Sequence, residues 1–206
     1  MNDSLATLFG TEARVKIMRL FLFNPDEVFD TEMVSRKSKV SPASVRSELR
    51  VLEKATLIRK KTFTKEVERK QGKKTVISKK KANGYELNPR FFHLVPLSNL
   101  LTTSKTLEPE TLLKKLGKAG KLKLVLVAGV FTQDPESRVD LLVVGNQISK
   151  NALQNAIESI EAELGRELVY AFFETPDFQY RLNMYDKLVH DILDYPHRVL
   201  LDKLSA

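Results

Sequence analysis

The most constraining part of the sequence runs from Ser41 to Phe63, where a helical pattern changes abruptly into a strand-like one. Ser41 is a favourable helix N-cap, and Pro42 suits the first helical position because its missing N–H would be unsatisfied there anyway. Apolar residues then recur at helical spacing: Val45, Leu49 and Leu52. From Leu57 onward the chain is β-prone and basic. The segment therefore predicts a half-buried helix followed closely by a basic strand.

Patterns on either side complete the predicted order of elements. Apolar periodicity predicts a buried helix over residues 8–24, and Asp30 is the expected N-cap of a short helix that ends near Lys37. Turn residues at 71–74 separate the basic strand from a second strand, which resumes at 75–78. The order is helix, helix, turn, helix and basic hairpin. It predicts a helix-turn-helix with a wing.

Positive charge is concentrated in the first part of the chain. Residues 1–90 hold 21 basic and 11 acidic side chains, whereas residues 91–206 hold 13 basic and 15 acidic ones, for a net charge of +8 overall. Residues 54–84 alone carry 12 basic and 2 acidic side chains. This asymmetry is typical of a polyanion-binding module joined to a unit with a different role.

Three stretches in this basic region carry a family resemblance. They are residues 8–17 (LFGTEARVKI), 41–53 (SPASVRSELRVLE) and 84–88 (GYELN). In this order they resemble the opening, the recognition helix and the end of the wing of ArsR-like winged-helix transcriptional regulators. The resemblance covers about residues 5–90. It implies a transcription regulator that binds double-stranded DNA as a homodimer.

The resemblance also implies which residues contact DNA, because a recognition helix enters the major groove with its N-terminal residues toward the base edges. Arg46 and Arg50 are the best candidates for guanine edges. The expected contacting face of the helix consists of Ser41, Ser44, Arg46, Ser47 and Arg50. The expected phosphate contacts of the wing are Arg59, Lys60, Lys61, Lys65, Arg69, Lys70, Lys73 and Lys74. Three simpler interpretations stay open: the basic run is a solvated face, the winged helix binds protein, or Arg50 pairs with Glu53.

The sequence predicts three regions: a winged helix-turn-helix domain at 1–90, a connecting helix or linker at 91–108 that Pro96 interrupts, and a second domain at 109–206. In the second domain the apolar patterns predict an α+β sheet covered by helices. The predicted elements are a helix at 109–118, strands at 122–131 and 139–144, a helix at 151–164, a strand at 168–173, helices from 175 and over 185–193, and a strand or helical turn at 199–201.

Two neighbouring strands of the second domain carry another resemblance. Gly129-Val130 ends the first strand, and Arg138 and Asp140 open the second. Their spacing resembles the minimal nucleotidyltransferase domain of the DNA polymerase β superfamily, in which Gly-Ser is followed by Asp-x-Asp. That resemblance implies a mixed sheet covered by helices and carboxylates that hold divalent metal. Here Val130 replaces the serine and Arg138 replaces the first aspartate. We therefore expect a degenerate site with no catalytic residue, metal or cofactor.

Together these patterns predict an α+β protein that is a cytoplasmic DNA-binding regulator, with a nucleotidyltransferase-like domain used for interaction or for sensing a nucleotide or protein partner. The absence of cysteine excludes thiolate zinc sites and cysteine nucleophiles. The longest apolar run, residues 124–131, is far shorter than the roughly 20 residues that span a bilayer. One alternative is an active metal-dependent nucleotidyltransferase whose basic half binds nucleic acid, with Asp134 or Glu136 as a substitute metal ligand. Others are an antitoxin-like partner protein and an unrelated α+β domain.

Overall fold

The structure, a computed structural model, describes residues 4–71, 74–103, 108–134 and 136–204. For residues 66–71, 74–77 and 102–103 it describes the backbone but not the side chains. The chain has a mixed α+β fold. It divides into two compact units. The first comprises residues 1–104 with 162–166, and the second comprises 105–161 with 167–206.

The first unit combines helices with one long β-hairpin. Its elements are α1 (Ser4–Phe9), α2 (Glu12–Phe23), α3 (Thr31–Ser38), α4 (Pro42–Lys54), β1 (Ile58–Gln71), β2 (Lys74–Leu87) and α5 (Leu94–Thr103). Two helix starts agree with the predicted capping. Asp30 caps α3 by accepting a 2.7 Å hydrogen bond from the Met33 N–H. Ser41 caps α4, whose first residue is Pro42.

Two predicted features of these helices are wrong. The single helix predicted over residues 8–24 is divided, because Gly10 adopts a φ of +94° and Thr11 is extended. The Thr11 hydroxyl then caps α2 by accepting a 3.0 Å hydrogen bond from the Arg14 N–H. Pro96 does not interrupt α5. It lies in the first turn of that helix, where a missing N–H removes no helical hydrogen bond.

The two strands of the hairpin pair antiparallel in continuous register, from Ile58 opposite Leu87 to the far ends of both strands. A short bridge pairs Phe29 with Tyr85 and so attaches the root of the hairpin to the segment before α3. Gly84 is required at this crossing, since a Cβ atom there would lie 2.8 Å from the Phe29 carbonyl oxygen. The hairpin therefore emerges from the helical core at a fixed position.

The core of the first unit joins α2, α3 and α4 to the root of the hairpin. The rings of Phe21 and Phe29 meet edge-to-face with their centroids 5.5 Å apart. The residues buried with them include Val15, Ile17, Val34, Val45, Leu49, Leu52, Leu57, Ile58 and Leu87. The stripe predicted for the helix after Pro42 thus faces this core.

The second unit contains a mixed sheet and helices. Its elements are α6 (Pro109–Leu116), β3 (Lys121–Val127), β4 (Leu141–Asn146), α7 (Lys150–Leu164), β5 (Tyr170–Glu174), α8 (Thr175–Asn183), α9 (Lys187–Asp194) and β6 (Arg198–Asp202). The last three residues of α7 belong to the first unit. The strand order is β5-β4-β3-β6. Strand β3 pairs antiparallel with both neighbours, whereas β4 and β5 are parallel. One core cluster lies between the sheet and α8 and α9: Leu124, Leu126, Val139, Leu142, Val144, Phe178, Val189 and Ile192.

Some predicted boundaries in the second unit are wrong. The strand predicted over residues 122–131 ends at Val127, and the chain then forms one turn of 3₁₀-helix at Gly129–Phe131. The helix predicted over 185–193 begins only at Lys187, because Tyr185 has a φ of +55°. The segment for which a strand or a helical turn was predicted is strand β6.

Candidate nucleic-acid interface

The outward face of α4 brings together the side chains that the sequence predicts for base contact. Ser41, Ser44, Arg46, Ser47 and Arg50 are all exposed. The opposite stripe of the helix is buried in the core of the first unit. These side chains therefore form a continuous polar and cationic surface on one helix.

The two arginines of this surface have no partners among the described residues. Within the part of the chain that the structure describes, neither Arg46 nor Arg50 makes a hydrogen bond or an ion pair. The alternative pairing of Arg50 with Glu53 does not occur, since Glu53 Oε1 lies 2.9 Å from Lys60 Nζ. Both guanidinium groups keep their full set of donors for a ligand.

The serines of this face differ in their roles. Ser41 Oγ accepts a 3.3 Å hydrogen bond from the Ser44 N–H, and the two hydroxyl oxygens are 2.9 Å apart. Ser41 and Ser44 thus stabilise the first turn of α4. Ser47 makes no hydrogen bond to any other described side chain and lies one turn further along the exposed face.

An open groove of about 460 Å³ lies between α3 and α4. Its lining consists of Thr31, Glu32, Ser35, Arg36, Pro42 and Arg46. Arg36 is exposed and places a second guanidinium beside Arg46. Arg36 was not among the residues predicted from the sequence to contact DNA. Its position two residues after the buried Val34 on α3 is the signal that could have placed it on the outer surface.

Glu48 is the buried carboxylate of α4, and no role was predicted for it from the sequence. Its Oε1 accepts a 2.9 Å hydrogen bond from the Thr11 hydroxyl, and its Oε2 accepts a 2.7 Å hydrogen bond from Arg14 Nε. Arg14 also donates to the Phe9 carbonyl oxygen at 2.7 Å. Glu48 therefore fixes the candidate interface helix against the start of α2. The detectable signal is an acidic residue between Val45 and Leu52 on the apolar stripe.

Lys65 joins β1 to the beginning of α3. Its Nζ lies 2.8 Å from Asp30 Oδ2 and 3.0 Å from Glu32 Oε2. These two hydrogen bonds raise the pKa of Lys65. Burial raises the pKa of Asp30, but hydrogen bonds from Lys65 and from the Met33 N–H outweigh burial and hold that pKa below its ordinary value. Asp30 is thus both the N-cap of α3 and an anchor for the hairpin.

The other described cations of β1 are also paired. Glu86, which is buried on β2, accepts hydrogen bonds from Lys61 Nζ and, at 2.7 Å, from Arg59 Nε. The Lys61 hydrogen bond is the main cause that lowers the pKa of Glu86, with Arg59 acting in the same direction and burial opposing both. Lys60 binds Glu53 on α4, which raises the pKa of Lys60.

The remaining predicted wing contacts are only partly described. For three of them the structure gives backbone positions in the strands but no side chains: Arg69, Lys70 and Lys74. Lys73 lies outside the described residues.

Strand β2 carries three consecutive exposed lysines that were not among the predicted contacts: Lys79, Lys80 and Lys81. None has a hydrogen bond or ion pair with the described residues. The run of three identical cations is the signal that could have found them.

In the second unit, three of the four residues that resemble a nucleotidyltransferase motif lie together. Asp140 Oδ1 accepts a 2.8 Å hydrogen bond from the Val130 N–H, and Oδ2 accepts a 2.9 Å hydrogen bond from the Val169 N–H. Gly129 has a φ of +50°, and a Cβ atom on it would clash with Asp140 Oδ1. The carboxylate of Asp140 thus ties the turn after β3 to the chain entering β5.

The fourth residue, Arg138, turns to a different partner. Its Nε lies 2.7 Å from Asp191 Oδ2 on α9. Asp134, the alternative ligand, accepts a 3.0 Å hydrogen bond from the Glu136 N–H within its own loop. Among the described side chains, no group of three histidine, aspartate or glutamate residues has an arrangement that could hold a metal ion.

Comparison of the chain with protein-family models, with curated proteins and with solved structures gives no match. Both family resemblances therefore depend on the sequence stretches alone. None of the described helices combines the length and the apolar character needed to cross a membrane.

Proposed function

We propose that the protein is a DNA-binding transcriptional regulator whose first unit is a winged helix-turn-helix of the ArsR-like kind, with α4 as the recognition helix. One observation carries the proposal. The exposed face of α4 presents Arg46 and Arg50 without partners among the described residues, on a helix whose other face is held by the core and by Glu48.

The chemistry of the helix supports this assignment. An arginine guanidinium can donate two hydrogen bonds to O6 and N7 of guanine, which is the most common specific contact in the major groove. A rigidly held helix favours such contacts because the guanidinium group must be correctly oriented toward the guanine. The capped N-terminus of α4 and the cationic surplus of residues 1–90 favour a polyanion in addition.

The proposal includes a homodimer. In regulators of this architecture, two recognition helices read half-sites about one helical turn apart, and the operator is pseudo-palindromic. Duplexes selected from a random pool by the full-length protein should therefore contain an inverted repeat with that spacing. A selected motif without internal symmetry would contradict the dimer.

The selected duplex then tests the role of α4. Arg46→Ala combined with Arg50→Ala should lower the ratio of specific to non-specific affinity by about 100-fold, because each bidentate contact contributes about 1–3 kcal/mol of discrimination. Lys114→Ala combined with Lys118→Ala removes the same charge from exposed positions in the second unit. This control should retain the wild-type ratio. Equal ratios for both double variants would reject α4 as the reading element.

The second unit is proposed to be a nucleotidyltransferase-like domain without catalytic activity, used for interaction or sensing. Two observations support this: Asp140 is engaged by two backbone N–H groups, and Arg138 holds the position of the first metal-binding aspartate and pairs with Asp191. Incubation with Mg²⁺, labelled nucleoside triphosphates and RNA or protein acceptors should transfer no label. Transfer that Asp140→Asn abolishes would contradict this assignment.

A further inference from the structure

We propose that the two strands of the hairpin divide their described cations between two roles: those of β1 hold the two strands together and hold the hairpin on the body of the first unit, and Lys79 and Lys81, which share one face of β2, bind the DNA phosphates. This inference rests on the proposed function and reassigns its phosphate-binding surface. The contrast in pairing between the two strands carries it.

The cations of β1 whose side chains the structure describes are already paired with carboxylates within the fold. Lys65 binds Asp30 and Glu32 at the start of α3, and Lys60 binds Glu53 on α4. A lysine that leaves two carboxylates for a phosphate gains little, since it gives up charge-assisted hydrogen bonds to form equivalent ones. The side chain of Lys65 is also only 29% exposed, so its access to a large polyanion is limited.

The fastenings hold the hairpin relative to both helices of the predicted reading motif. Lys65 reaches the N-terminus of α3, and Lys60 reaches the C-terminal half of α4. The bridge between Phe29 and Tyr85 adds a backbone connection at the root. These contacts set the angle between the hairpin and α4. A fixed angle is required if α4 is to contact one groove of the DNA while the hairpin contacts the flanking phosphates.

The lysines of β2 have the opposite character. Lys79, Lys80 and Lys81 are exposed and keep all their donors available with respect to the described residues. Lys81 lies directly opposite Thr64, so an exposed hydroxyl accompanies it on the same face of the hairpin. Hydroxyl and ammonium donors together are typical of phosphate contacts.

The cross-strand register connects the two roles. Lys80 lies directly opposite Lys65, and like charges in such a pair are destabilising. Asp30 and Glu32 compensate Lys65, which allows Lys80 to remain cationic at that position. Thus the acidic residues at the start of α3 make a lysine-rich β2 strand tolerable without binding those lysines themselves.

The experiment compares two triple variants of the full-length protein with the same loss of charge. One changes Lys79, Lys80 and Lys81 to alanine, and the other changes Lys60, Lys61 and Lys65 to alanine. The affinity of each for a random-sequence duplex longer than two helical turns is measured between about 50 and 200 mM salt, and thermal unfolding is followed by circular dichroism. Each phosphate contact contributes about 0.9 to the slope of log K against log salt.

We expect the β2 variant to lower that slope by about 1.8, which corresponds to the two phosphate contacts of Lys79 and Lys81 on one face, and to unfold at the wild-type temperature. The β1 variant should change the slope by less than about 1 and unfold at a lower temperature. Lys65→Met, which keeps most of the apolar stem, repeats the β1 measurement if the triple variant does not fold.

The division of roles would be overturned if the β1 variant, or Lys65→Met, lowered the slope by as much per lysine as the β2 variant does. A wild-type protein that binds no duplex at about 50 mM salt would instead contradict the proposed function. The two failures are distinguished by the wild-type measurement alone.

Discussion

Glu48 shows how one buried carboxylate can control the candidate interface. It lies on the inner face of α4 and receives hydrogen bonds from Thr11 and Arg14, both at the start of α2. Removal of the carboxylate would leave the Thr11 hydroxyl and Arg14 Nε without their acceptor. Because the side chain of Arg14 is 27% exposed, water can replace part of that contact.

We therefore predict that Glu48→Ala lowers the free energy of unfolding by about 2–3 kcal/mol, as measured by urea denaturation. Glu53→Ala is the matched control on the same helix. It removes a more exposed carboxylate paired with Lys60 and should cost less than about 1 kcal/mol. Similar losses in the two variants would show that Glu48 has no special structural role.

Gly129 gives the corresponding test in the second unit. A side chain there meets Asp140 Oδ1 and also requires a φ of +50°. Gly129→Ala should therefore displace the carboxylate from the Val130 and Val169 N–H groups and cost about 3 kcal/mol of unfolding free energy. Gly117→Ala, at a residue with right-handed helical backbone, should stay within about 1 kcal/mol of wild type. A cost for Gly129→Ala as small as that of the control would contradict this account of Asp140.

At the scale of elements, the carboxylates paired with the cations of β1 predict a dependence of the free energy of unfolding on pH. The folded-state pKa values of Asp30 and Glu86 lie below their ordinary values. The contribution of these two carboxylates to the free energy of unfolding is therefore fully present when the pH is above their ordinary pKa values near 4. It is lost as the pH falls through the lowered folded-state pKa values.

Urea midpoints measured from pH 7 down to about pH 2 should fall more steeply below pH 5 for the wild type than for Glu86→Gln. The variant should be less stable at neutral pH because Arg59 and Lys61 lose their anion. The difference between the two proteins should shrink as Glu86 becomes protonated. Parallel curves across the whole range would mean that Glu86 does not contribute to this dependence.

What the sequence predicts about the elements depends on how local their causes are. The caps at Asp30 and Ser41 bind N–H groups within three residues, so a sequence pattern is enough to find them. The partners of Arg14 and Lys65 lie more than 30 residues away and depend on how the elements pack. The phosphate-binding role predicted for β1 used charge alone, so it did not foresee that the described cations of this strand are paired with carboxylates of the same unit.

At the scale of the whole molecule, the chain contains two units with separate cores and different charge. The charge difference was readable from the sequence because net charge is a simple sum over residues. The positions of Gly129 and Asp140 were found by spacing, but the end of β3 and the pairing of Arg138 with Asp191 were not. These depend on three-dimensional neighbours that no local pattern specifies.

Separate cores predict separate effects of core mutations. Leu142 and Leu49 are both almost fully buried, the first in the second unit and the second on α4. Either leucine-to-alanine change should destabilise its unit by about 2–5 kcal/mol. Leu49→Ala should also weaken duplex binding at temperatures near the unfolding transition, whereas Leu142→Ala should keep wild-type affinity. Equal losses of affinity would contradict the proposal that DNA binds to the first unit alone.

The hairpin has a further consequence through its length. Each strand has 14 residues, but only the six residues of β1 from Glu66 to Gln71 lie beyond the ion pairs of Lys65, and at about 3.3 Å per residue they give an arm roughly 20 Å long. Half a turn of the double helix advances about 17 Å. If such an arm lies along a duplex, nuclease protection should extend well past the base pairs that α4 reaches, and shortening both strands equally should trim the protected length without altering the preferred bases.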